Sequence, residues 1–128
     1  MKILPIFQNH TTFTSKKTFK RQFDVCAYSG EKFEPYDTAT IEHIIPVNCG
    51  GKNEFSNYLV VKRSWNMDRS DTPLDEYIMQ NPQVRDNIVT SVSSKEGQIL
   101  EGINWAEEVK KTLLETIGYD IFMISNTK

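Results

Sequence analysis

Phe19 and Phe23 stand four residues apart, with Lys16, Lys17, Lys20 and Arg21 gathered on other faces of the same segment. This pattern predicts a short helix through about residue 23, with Ser15 as its N-cap. Before it, residues 1 to 7 read as a strand or arm broken by Pro5. After it, residues 24 to 33, with the turn Ser29-Gly30, read as a hairpin-like knuckle. Residues 38 to 45 are β-branched-rich and stop before Pro46, so they predict a strand, and Tyr58 to Val61 predict a second. Residues 48 to 57, with Gly50-Gly51, separate the two as a loop, and the polar stretch from Ser64 to Asp71 predicts a helix. Thr72-Pro73 reads as an N-cap and first helical position for a helix through Gln80 carrying Leu74 and Ile78. Asn81-Pro82 repeats the signal for a helix through about Val92 with Val84 and Ile88. Asn104 caps a predicted helix over residues 105 to 117, whose stripe Trp105, Val109, Leu113 and Ile117 reads as core, ended by Gly118. Residues 119 to 124 read as a closing strand.

Composition adds little to this α+β pattern until charge is read by segment. The chain has 128 residues, 38% hydrophobic and 25% charged, which fits an ordinary globular domain. Its net charge of −2 argues at first against a nucleic-acid binder. Residues 1–35 carry six basic and three acidic side chains, residues 36–72 four and five, and residues 73–128 five and nine. A basic front and an acidic rear are hidden in the total. Two cysteines, Cys26 and Cys49, are too few for a disulfide scaffold, and no apolar run reaches membrane-spanning length, so a cytoplasmic protein with no membrane association is expected.

The chemistry is concentrated between Thr40 and Asp71, TIEHIIPVNCGGKNEFSNYLVVKRSWNMDRSD. Each residue has an ordinary structural alternative: His43 as a satisfied strand histidine, Glu42 as a surface carboxylate, Asn57 as a turn-ending asparagine. The combination reads differently. Glu42-His43, Pro46, Gly50-Gly51, Asn57 and Asn66 stand in register over about 30 residues, and this order and spacing resemble the HNH endonuclease family. The resemblance implies a ββα-metal core at residues 23–72, with a basic N-terminal arm and helix at 1–22 and a helical elaboration at 73–128, together one HNH-type nuclease domain. It implies hydrolysis of phosphodiester bonds in DNA. His43 would be the general base, Asn57 would orient the histidine-bearing loop, and Glu42 and Asn66 would hold a divalent ion, Mg²⁺ first and Mn²⁺ as another possibility. Adjacent strand residues point to opposite faces, so Glu42 and His43 can share a site only if the strand bends or ends there.

Many HNH proteins brace this motif with zinc on two Cys-x-x-Cys pairs. Here the equivalent positions are Cys26, Ser29, Lys62 and Trp65. One cysteine cannot make a four-ligand site, so no structural zinc is expected, Cys26 is read as an inert buried thiol and Trp65 as core. Lys62, Arg63 and Arg69, with Lys16, Lys17, Lys20 and Arg21, form the expected DNA-contacting surface. So small a domain is expected either to cut with weak specificity or to gain targeting from a partner protein. The competing reading is an inactive HNH-like module that binds nucleic acid or protein.

Overall fold

The computed structural model describes residues 16–126. The Met1 to Phe7 arm and the Ser15 cap lie outside them. A helical segment over 16–21 (α1) is followed by the knuckle and then by strands β1 (Ala39–His43) and β2 (Tyr58–Lys62). Helices α2 (Arg63–Arg69), α3 (Leu74–Gln80), α4 (Pro82–Ser93), α5 (Trp105–Ile117) and α6 (Ile121–Asn126) complete the chain. The two strands pair antiparallel, with Thr40 opposite Val61, Glu42 opposite Leu59 and His43 opposite Tyr58. Helix α2 follows β2 directly and packs on both strands. This is an α+β arrangement with a ββα unit at its centre.

The apolar periodicity explains the core. Phe19 of α1 and Phe23, just beyond its end, pack edge-on against Trp105 at 5.9 and 5.0 Å between ring centroids, and Phe19 also meets Phe55 and Tyr58. Trp105, Val109, Leu113 and Ile117 are all buried, as the four-residue stripe predicts. Asn104 accepts from the Glu107 amide, and Gly118 closes α5 at φ 92°, a backbone conformation that glycine adopts without a Cβ penalty. Leu74, Ile78, Val84 and Ile88 of α3 and α4 join the same cluster.

Two predicted elements change. Residues 119–124 do not form a strand: the Asp120 carboxylate accepts from the amides of Phe122 and Met123 at 2.9 and 3.4 Å, and so starts helix α6. Pro73 stands at the N-cap of α3, outside the helix, and the helix begins at Leu74. Thr72 is held back because its carbonyl accepts from Arg69 Nε at 2.8 Å. Among the described residues no helix is long and apolar enough to cross a membrane.

The knuckle keeps its shape through hydrogen bonds and charge. Val25 bridges Lys32, Gly30 N donates to the Cys26 carbonyl, and Ala27 N donates to Val60 of β2. The buried Cys26 Sγ accepts from the amides of Ser29 and Lys62 at 3.4 and 3.2 Å, which brings these positions together around one sulfur. Lys62 Nζ pairs with Glu31 at 3.1 Å and Asp37 at 3.3 Å, so an ammonium ties the knuckle to the end of β2. Trp65 is half-buried against the core.

Candidate active site

Strand β1 stops at His43, and the reason is visible in its carbonyls. In a straight strand successive carbonyls point to opposite sides. Here the carbonyls of His43 and Ile44 both accept from one guanidinium, Arg69 Nη1 at 2.9 Å and Nη2 at 2.9 Å. The chain has therefore turned. That turn lets two adjacent side chains serve one place: Glu42, His43 and Asn66 line a common open cleft of about 310 Å³, together with Asn48 and Ser70.

Asn57 holds the return loop. Its Oδ1 accepts from Ile45 N at 2.9 Å, and its Nδ2 donates to the carbonyls of Ile45 and Lys52, both at 3.0 Å. It is buried, and these side-chain hydrogen bonds all go to backbone groups. Gly51 makes the turn possible: a Cβ there would stand 1.7 Å from the Ile45 carbonyl oxygen. We expect Gly51→Ala to destabilise the fold by about 3 kcal/mol, the upper end of overpacking costs, read as a lowered midpoint in urea unfolding.

Glu42 is only 4% exposed. Its Oε2 accepts from the Tyr28 hydroxyl at 2.7 Å and from Arg69 Nη1 at 3.1 Å. Burial pushes its carboxyl above the ordinary value, and the Tyr28 hydrogen bond and the Arg69 charge oppose that shift. Burial and the adjacent carboxylate raise Tyr28 well above a free phenol, so it remains a donor. Both hydrogen bonds fall on Oε2, which leaves Oε1 as the carboxylate oxygen that can bind a cation. Asn66 approaches from α2, its Nδ2 donating to Thr40 Oγ1 at 3.1 Å and the Ile41 carbonyl at 3.3 Å. With its nitrogen turned to β1, the amide keeps Oδ1 as its free acceptor.

His43 is half-buried beside them. Its Nε2 lies 2.7 Å from Asn53 Oδ1, and its ring meets Tyr58 edge-on at 5.2 Å between centroids. The Tyr58 hydroxyl is buried without a hydrogen-bond partner among the described residues. On the far lip, Ser70 ends α2 at φ 53°, an uncommon conformation for a residue with a side chain. The Ser70 hydroxyl and the Asn48 amide hold the Asp71 carboxyl below its ordinary value, linking the two sides of the cleft.

The expected basic surface is only partly there. Arg69 is 1% exposed, with Nε, Nη1 and Nη2 all donating inside the protein, so it is not on a phosphate-contacting face. Lys62 is engaged by two carboxylates. Arg63, Lys17 and Arg21 are exposed, and Lys20 is half-buried. Lys16 places its ammonium 5.8 Å from the centre of the Tyr58 ring, which itself abuts His43. Sequence reasoning missed Tyr28, Asn48, Asn53 and Ser70, and misplaced Arg69. One signal was present: Asn66 and Arg69 are three residues apart, hence on one helix face, and both point to β1.

Among the described residues no three His, Cys, Asp or Glu side chains gather as a metal-holding group. The donor set at the cleft is instead one carboxylate, one amide and one imidazole. Oxygen donors of this kind suit a hard divalent cation that keeps most of its water, so the residues present fit such an ion. No curated protein and no solved structure matches the chain significantly. Residues 26–73, which hold most of the knuckle, both strands and α2, match the family model described as HNH endonuclease, and over this segment the chain is similar to that family.

Proposed function

We propose that this protein is a metal-dependent endonuclease that hydrolyses phosphodiester bonds in DNA. The observation that carries the reading is the convergence of Glu42, His43 and Asn66 on one cleft at the turn ending β1. Glu42 and Asn66 would hold the divalent ion, Mg²⁺ or Mn²⁺, which when bound supplies positive charge for the phosphate and the leaving oxygen. His43 takes a proton from a water molecule, the water oxygen attacks phosphorus, and the bond from phosphorus to the leaving oxygen breaks, with solvent supplying that oxygen's proton. Asn57 acts at a distance, by holding the loop against Ile45. Lys16, Lys17, Arg21 and Arg63, all exposed, would meet the DNA backbone, and Arg69 would support the site from inside.

One observation favours the alternative of an inactive binding module: Glu42 Oε2 is already satisfied by Tyr28 and Arg69. Supercoiled plasmid separates the two. Protein with Mg²⁺ or Mn²⁺ is expected to convert it to nicked or linear forms, and EDTA to stop the conversion. Intact plasmid with every divalent ion, by protein whose circular dichroism shows it folded, overturns the nuclease reading.

A further inference from the structure

We propose that Asn53 is a positioning residue for His43, holding the imidazole with its proton on Nε2 and its lone pair on Nδ1. The inference rests on the reading of His43 as the base. Asn53 Oδ1 lies 2.7 Å from His43 Nε2, and an amide oxygen can only accept, so the proton of a neutral ring sits on Nε2. Nδ1 is then the atom left to take a proton from water. The Tyr58 ring, edge-on at 5.2 Å, restricts rotation of the imidazole about its second side-chain torsion. These two contacts fix which nitrogen is basic and where it is.

The placement of Asn53 is itself built by the loop. Asn57 Nδ2 holds the carbonyl of Lys52, the residue immediately before Asn53. Gly51 brings that stretch against the Ile45 carbonyl closer than any side chain allows, and its amide donates to Pro46. The asparagine the family uses to orient its loop thus reaches the imidazole here through a second asparagine, one that the loop presents to the ring. Asn53 is exposed, so water competes for the same proton and the expected effect is moderate.

Asn53→Leu removes the acceptor at nearly constant size, and Asn53→Asp restores one. For the full chain with Mg²⁺, Asn53→Leu is expected to lower kcat about tenfold, the equivalent of one net hydrogen bond, with KM unchanged within about twofold. Asn53→Asp is expected to recover most of the loss. Independently of activity, ¹⁵N spectra of the imidazoles in metal-free protein, at a pH where the rings are neutral, read the tautomer directly, with His10→Gln assigning His43. The native ring is expected in the single Nε2–H form, and Asn53→Leu to move it toward the averaged values of a free imidazole. A His43 spectrum that Asn53→Leu leaves unchanged overturns the proposal. If the native chain cuts no DNA, the nuclease reading fails while the ring spectra still decide the role of Asn53.

Discussion

His43→Ala is expected to slow plasmid nicking by about 10²- to 10⁴-fold, the range that a positioned general base contributes. DNA affinity should stay within about a factor of two, because the binding energy is dominated by phosphate contacts of lysine and arginine side chains. The split between rate and binding is what makes the experiment informative. A residue that merely braced the fold would lower the unfolding midpoint, whereas His43 is half-buried and, among the described residues, makes one side-chain hydrogen bond, to an exposed loop residue. The substitution also leaves room beside Tyr58, and added imidazole is expected to recover part of the rate without changing KM for DNA. Plasmid nicking rates, anisotropy of labelled DNA and thermal unfolding on one preparation check all three statements. Unaltered nicking by His43→Ala removes His43 from the chemistry and, with it, the mechanism proposed above.

The sequence carried the parts of this site that depend on order and spacing. Glu42, His43 and Asn66 are drawn to one cleft by a strand, a glycine loop of fixed length and a helix, and each of these leaves a local signature. The core helices were legible for the same reason, since one face of each is apolar. What spacing does not record is which polar groups meet across the interior. Tyr28 lies 14 residues from Glu42, and Arg69 lies 27, yet all three share one buried oxygen. An arginine near a nuclease motif reads as a phosphate contact because most arginines are exposed; its burial follows only once α2 is laid on β1. The closing strand failed for a smaller reason: Asp120 offers a cap, and two backbone amides take it in preference to an extended conformation.

Arg69 leads to the second large effect. Replacing it with methionine is expected to cost about 3–5 kcal/mol, the range for removing one partner of a buried ion pair, against a total of roughly 5–15 kcal/mol for a domain of this kind. The loss has two sources. Glu42 is left as a carboxylate in a site already unfavourable to its charge, and the carbonyls of His43, Ile44 and Thr72 lose their donors. Arg69→Lys should rescue little, because one ammonium cannot reach a carboxylate and three carbonyls arranged around a planar fork. Chemical unfolding of both variants measures this. The same pair discriminates burial from DNA contact. An exposed phosphate-binding arginine would leave stability nearly intact, reduce the slope of log affinity against log salt by about one, and accept lysine as a substitute. The geometry requires the reverse: a large stability loss for both variants, and a native salt slope wherever the protein is still folded. Adding Glu42→Gln to Arg69→Met should return part of the lost stability by removing the stranded charge, while nicking is expected to be abolished because the carboxylate that would hold the metal is gone. A double variant that recovers stability and activity together would separate Glu42 from the metal.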